Sequence, residues 1–162
     1  MSPVIDIAIE APGWDGLAGP RELAEAAIAA AIEASAARLE DEAEVSILFC
    51  GDAFIAGLNR QWRGQDKPTN VLAFPAGEGA GPLLGDIVIA FETAHAEALA
   101  TAKPLRDHVA HLLVHGFLHL LGYDHASDAE ADAMETLEAL ALARLGIDNP
   151  YRDTVAEASG GA

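Results

Sequence analysis

The chain has 162 residues, enough for one domain with a substantial core, and carries a formal net charge of −17 with a single cysteine. That charge favours solubility and sets the chain apart from generic nucleic-acid-binding domains, which are usually basic. One cysteine excludes an intrachain disulfide framework. With no basic-then-apolar leader and no long apolar run, neither signal peptide nor membrane span is read, and a cytoplasmic protein is expected.

Hydrophobic residues make up 51% but aromatics only 6%, so much of the core is expected to be helix packed through alanine. Ile5, Ile7 and Ile9 alternate with Asp6, Ala8 and Glu10, the period-two pattern of a half-buried strand, closed by Pro12-Gly13. Pro20 opens a helix predicted to about Leu39, with Leu23, Ala27, Ala30 and Ala31 on one side. Glu44 to Cys50 is a second strand, with Cys50 expected as a buried thiol at its end. Asp52 is placed to cap a helix through Leu58 and Trp62. Gly64 to Pro68 is a loop, and Asn70 to Phe74 a short strand stopped by Pro75.

The glycine-rich stretch 76–82 is the candidate mobile loop. Leu83 to Phe91 is a strand in which Gly85-Asp86 suggests a bulge or close backbone approach. Helices are predicted at about 92–102 and 104–121, the second with Pro104 at its start. Ser127-Asp-Ala-Glu130 is a capping box for a last helix to about Arg144, ended by Gly146. Strands concentrate in the first half and helices in the second, which predicts an α+β class. One domain is expected over residues 1–158, a small mixed sheet packed with several helices, followed by a short disordered tail at 159–162.

The densest chemical signal is His115-Gly-Phe-Leu-His119-Leu-Leu-Gly122-Tyr-Asp-His125. Histidines four apart on a helix share a face, with Cβ atoms roughly 5–6 Å apart, within reach of one metal ion. Gly122 can end the helix in the left-handed conformation and let the chain return His125 as a third ligand. Three imidazoles with an open fourth position make a catalytic arrangement rather than a closed structural one. Zinc suits such a set best, although nickel, copper or iron would also bind. The ion would polarise a phosphoryl or carbonyl oxygen and lower the pKa of bound water to about 7.

The same histidine spacing occurs in metzincin proteases, whose general-base glutamate directly follows the first histidine. Here that position is Gly116, so peptide hydrolysis lacks its proton acceptor. Gly116 itself has two readings, close helix packing or space beside the metal. His111, one turn before His115 and near His108, is a second-layer, substrate-facing or buried hydrogen-bonded residue; a metal pair with His115 is the weaker alternative. Asp124 either orients an imidazole or caps the turn, and Met134 is expected in the core.

A second polar segment is Arg60-Gln-Trp-Arg63-Gly-Gln-Asp-Lys67-Pro-Thr-Asn70, with three of the nine Lys and Arg residues. Arginine suits bidentate phosphate recognition, and Trp62 offers a base-stacking face. A solvated helix end followed by a loop would look the same. Arg63 through Pro75, then Leu84-Gly-Asp-Ile-Val-Ile89, then the histidine block, in that order and spacing, resemble the YbeY family of bacterial endoribonucleases acting in ribosomal RNA maturation and ribosome quality control. The resemblance covers roughly residues 44–152, including Asn149-Pro150-Tyr151. It implies a zinc-dependent cut in single-stranded RNA, one Zn²⁺ held by His115, His119 and His125, a catalytic or substrate role for Arg63, and partners on the small ribosomal subunit. Arg60, Lys67 and Asn70 are the further candidates for RNA contact, and Arg60, Arg63, Lys67, Lys103 and Arg106 for a local positive groove. A non-enzymatic ribosome-assembly protein with a structural metal is the rival reading.

Overall fold

The computed structural model describes residues 3–77 and 79–151; the predicted tail at 159–162 lies outside them. Four strands, β1 (Val4–Ile9), β2 (Glu44–Cys50), β3 (Val71–Pro75) and β4 (Leu83–Ala90), form one sheet in the order β1-β2-β4-β3. The first three in that order run parallel, and β3 lies antiparallel to β4 at the edge. Five helices accompany them: α1 (Pro20–Ser35), α2 (Asp52–Arg63), α3 (Phe91–Ala100), α4 (Leu105–Leu120) and α5 (Asp128–Arg144). The mixed sheet and its helices are the α+β arrangement expected. None of the described helices is long and apolar enough to cross a membrane.

Strand side chains alternate between faces, and the two faces here have different partners. Ile5, Val45, Ile47, Phe49, Ile87 and Ile89 enter the main core with α1, α4 and α5. Cys50, Leu72, Val88 and Ala90 belong to a smaller cluster with Ile55 of α2. Helix α4 lies in the middle of the main core, where Val109, Leu113, Val114, Phe117 and Leu118 are fully buried. Burying each such side chain contributes roughly 1.5–3 kcal/mol, so this helix is anchored far beyond its intrinsic propensity. Its remaining stripe, His111, His115 and His119, is only partly covered.

Gly85 marks the close approach anticipated for it. Its φ is +146°, and a Cβ there would lie 2.3 Å from the carbonyl oxygen of Phe74. The register between β2 and β4 also shifts beside it, between Glu44 and Val45.

Two local expectations need correction. Helix α1 ends at Ser35 rather than near Leu39, because Ala36 takes the left-handed conformation (φ 56°) and its N–H turns back to Glu33 and Ile32. Asp52 does not cap α2; Gly51 does, and Asp52 is the first helical residue. The Asp52 carboxylate instead accepts from the backbone N–H of Thr93 (3.0 Å) and its hydroxyl (2.7 Å), while Glu92 Oε1 accepts from the Asp52 N–H (2.7 Å). The N-termini of α2 and α3 thus satisfy each other's unpaired donors. Between β1 and α1, a 3₁₀ turn (Pro12–Gly16) buries Trp14, whose indole N–H donates to the Cys50 carbonyl at 2.8 Å. Cys50 is buried, as expected, and burial pushes its thiol pKa up to about 12.

Candidate metal centre

Helix α4 ends as the glycine signal requires. Leu121 caps it, and Gly122 follows at φ +104°. The Gly122 N–H donates to the His119 carbonyl (3.0 Å) and the Tyr123 N–H to the Leu118 carbonyl (3.1 Å), the paired bonds of a Schellman end. The chain thereby reverses and brings His125 beside the helix.

One nitrogen from each of His115, His119 and His125 lies within 4.8 Å of the other two. The Nε2 atoms of His115 and His119 are 3.1 Å apart. Zinc–nitrogen bonds of about 2.0–2.1 Å in tetrahedral geometry hold ligand nitrogens about 3.3 Å apart. His125, whose side chain is 59% exposed, has the freedom to close the remaining gap. Burial, then the neighbouring His115 and His125, lower the pKa of His119 below the ordinary imidazole value. It is therefore neutral at physiological pH, the form that ligates. Among the described residues, no fourth His, Cys, Asp or Glu donor joins the group, which leaves a position open.

The cluster lines a cavity of about 550 Å³. Arg63, the last residue of α2, lines its other side with Thr69, Asn70 and the edge strand β3. The carboxylate lining the cavity, among the described residues, is Asp124. Its Oδ1 accepts the backbone N–H of His125 at 2.8 Å, so it caps the turn. Gly116 also lines the cavity, but a Cβ on it would meet Ile87 Cγ2 at 2.9 Å. Close packing of α4 on β4 is the reading of that glycine with a contact behind it.

A family model described as Endoribonuclease YbeY matches residues 18–146. The chain belongs to the YbeY endoribonuclease family. Similar curated members come from Methylocella silvestris (59% identical, covering 99% of this chain and 93% of the relative) and Beijerinckia indica (55%, 99% and 83%). The solution structure of a Thermotoga maritima protein is 25% identical with a TM-score of 0.55, over 86% of this chain and 91% of that one. The family match starts at residue 18 and so takes in α1, where the sequence motifs alone had carried the resemblance only from about residue 44.

The other candidate residues separate. Lys67 lines a smaller adjoining cavity of about 370 Å³ that shares Arg63, Thr69 and Asn70 with the metal cleft. The Asn70 amide is engaged within the protein, accepting from the Val71 N–H (2.7 Å) and donating to Glu97 Oε1 (2.9 Å). Glu97 Oε1 is also 2.8 Å from His108 Nε2. Arg60 is exposed and lines neither cavity, and Arg106 donates to the Ala18 carbonyl. Of the five cations considered together, Arg63 and Lys67 line the cleft or the cavity adjoining it, and the other three line neither. Trp62 lines a separate groove rather than the histidine cleft, with its ring 6.1 Å from that of Phe74.

The sequence reading missed Glu138. It is 1% exposed on α5, and its Oε1 lies 2.7 Å from His111 Nε2, 3.3 Å from His115 Nδ1 and 2.9 Å from the Tyr151 hydroxyl that donates to it. Burial would raise its carboxyl, but the hydrogen bonds from His111 and His115 outweigh that and hold it at about 2. A glutamate in helical step with buried Met134, Ala141 and Leu142 was the available signal. His111 is thus the hydrogen-bonded histidine among its readings, part-buried and engaged by Glu138 rather than half of a second metal pair, and Met134 is core.

Proposed function

We propose that this protein is a zinc-dependent endoribonuclease that cuts single-stranded RNA in ribosomal RNA maturation, near the 3′ end of 16S RNA, in the cytoplasm and in contact with the small ribosomal subunit. The observation that carries the reading is the convergence of three imidazole nitrogen donors and one arginine on a single open cleft. Membership of the family supports it.

When bound, the zinc would supply Lewis acidity towards a phosphate oxygen and a lowered pKa for water. The chain's own part is positional. His115 and His119 project from a helix locked in the core, so their separation is set before substrate arrives. Arg63 places a permanent positive charge across the cleft, where it neutralises charge gathering on the phosphate in the transition state. Thr69 and the Arg63 guanidinium stand where a phosphodiester would pass between the edge strand and the histidines.

An acidic chain with two cations beside the cleft gains little from counterion release. For single strands the salt slope is about −0.7 per phosphate neutralised, so a slope of about −1.4 is expected with two contacts. Affinity for free RNA is then weak, and a ribosomal partner that presents the strand supplies the remainder. The absence of a fourth donor among the described residues favours catalysis over a purely structural metal. The test is incubation of zinc-loaded protein with end-labelled single-stranded and duplex RNA, followed by analysis of product ends. Internal cuts confined to single strands are expected, and the ends tell attack by water from attack by the 2′-hydroxyl. No cleavage by fully loaded, folded protein, even on isolated small subunits, rejects the proposal.

A further inference from the structure

Three donors, two from α4 and one from the segment after α5, meet on one carboxylate oxygen of α5. Glu138 Oε1 takes His111 at 2.7 Å, Tyr151 at 2.9 Å and His115 at 3.3 Å, in a site 1% exposed. The last of these differs in kind from the other two. His115 presents Nε2 to the metal cluster and Nδ1 to Glu138, so the two ring nitrogens serve different masters. A neutral imidazole has one N–H and one lone pair, and whichever nitrogen donates leaves the other free to ligate.

From this geometry we infer that Glu138 is a positioning residue for the metal centre, fixing His115 in the Nδ1–H form with its Nε2 lone pair aimed at the ion. Such a carboxylate also raises the basicity of the ligating nitrogen and stops the ring from rotating. His111 and Tyr151 hold the carboxylate itself. They bind it more closely than His115 does, and they approach from α4 and from the segment after α5. Glu138 Oε1 therefore has a fixed place whether or not His115 is engaged. A cavity of about 340 Å³ behind the cluster is lined by His115, His125, Met134, Glu138 and Tyr151, so the arrangement backs the metal on the side away from Arg63. The segment Asn149-Pro150-Tyr151 thereby acquires a role at the site: the Tyr151 N–H donates to Asn149 Oδ1 (2.8 Å), a local turn from which the hydroxyl reaches Glu138.

This inference rests on the three histidines binding metal, and the experiment separates the two. Zinc affinity is measured by competition with a chromophoric chelator for wild type and Glu138→Gln, with the thermal melting of each metal-free chain as the fold control. Glu138→Gln is expected to bind zinc 10–100-fold more weakly while still melting cooperatively. A role confined to packing would shift the melting of the metal-free chain and leave the zinc affinity of the folded fraction unchanged, and that result overturns the inference. Failure of the wild type itself to bind zinc overturns the metal reading beneath it. Should Glu138→Gln not fold, the wild type decides alone. Imidazole ¹H–¹⁵N spectra of the zinc-loaded protein are expected to show His115 ligated through Nε2 with a slowly exchanging Nδ1 proton. Ligation through Nδ1, or a freely exchanging proton there, removes Glu138 from the arrangement.

Discussion

The two faces of the sheet carry cavities of opposite character, and the larger of the two is not the one with the chemistry. The groove beside α2 encloses about 900 Å³ and is mostly apolar, lined among others by Leu48, Phe54, Trp62 and Phe74, with Trp62 64% and Phe54 48% exposed. The metal cleft is smaller, about 550 Å³, and is lined by three histidines, an arginine and the start of β3. Size and greasiness favour the first as a binding site. Convergence of donors, a buried carboxylate behind one of them and an anchored helix favour the second. Apolar volume arises wherever a sheet is only half covered, whereas inward-pointing polar groups persist only when other groups hold them.

Four experiments can break or sharpen that contrast. The largest effect is expected at the metal. His119→Ala, or exhaustive chelation of the wild type, should abolish zinc retention and lower RNA cleavage by more than about 10³-fold, the scale of losing a Lewis acid together with its activated water. Metal content measured beside cleavage of a labelled oligonucleotide checks this, and cleavage that survives in metal-free protein would move the chemistry elsewhere.

Arg63→Ala comes next. The side chain is exposed, so the melting temperature and zinc content should stay at wild-type values while cleavage falls about 10²–10³-fold, as for other positioned charges at a transition state. Single-turnover rates at saturating RNA are the measurement. An unchanged rate would reduce Arg63 to a surface charge.

Gly116→Ala tests the floor of the cleft. Alanine gains about 1 kcal/mol in helix propensity, but its Cβ would stand 2.9 Å from Ile87 Cγ2 in a fully buried position. Overpacking of this kind costs typically 1–3 kcal/mol, so the net expectation is a loss of about 1 kcal/mol in urea unfolding. A stabilised variant would mean that α4 has room to shift and that the histidines are less rigidly placed than described.

The smallest effect is expected in the groove. Trp62→Ala should change stability by no more than about 0.5 kcal/mol and leave cleavage of short RNA untouched, because Trp62 is exposed and lines the groove rather than the metal cleft. A tenfold loss of cleavage would make the two cavities one substrate path.

Much of the fold was legible because its signals are local. Period-two isoleucines gave β1, proline and capping residues gave helix starts, and Gly122 with its flanking spacing gave the turn that delivers His125. The three histidines able to hold a metal were legible for the same reason, since all lie within eleven residues of sequence. Where long-range contacts decide, local pattern fails. Ala36 takes a left-handed conformation that alanine does not announce, so the end of α1 was misplaced. Asp52 has the composition of a cap, but its carboxylate is taken by Thr93, forty-one residues away. Asn70, read as a contact for RNA, lines both the cleft and its adjoining cavity, but its tie to Glu97 on α3 had no local signal. Glu138 sits in a helix whose apolar stripe is weak, and its partners come from sequence distances of 13 to 27 residues.

The clasp between Asp52, Glu92 and Thr93 gives Arg63 a fulcrum. Helix α2 is a rod of 12 residues, about 18 Å long, pinned at its first residue and carrying the guanidinium at its last. A tilt of about 3° at the pinned end sweeps the far end through about 1 Å, a misplacement that can cost 10²-fold in rate. Under the proposed role, the aim of the arginine is therefore gauged at the opposite end of its helix, by Asp52, Glu92 and Thr93.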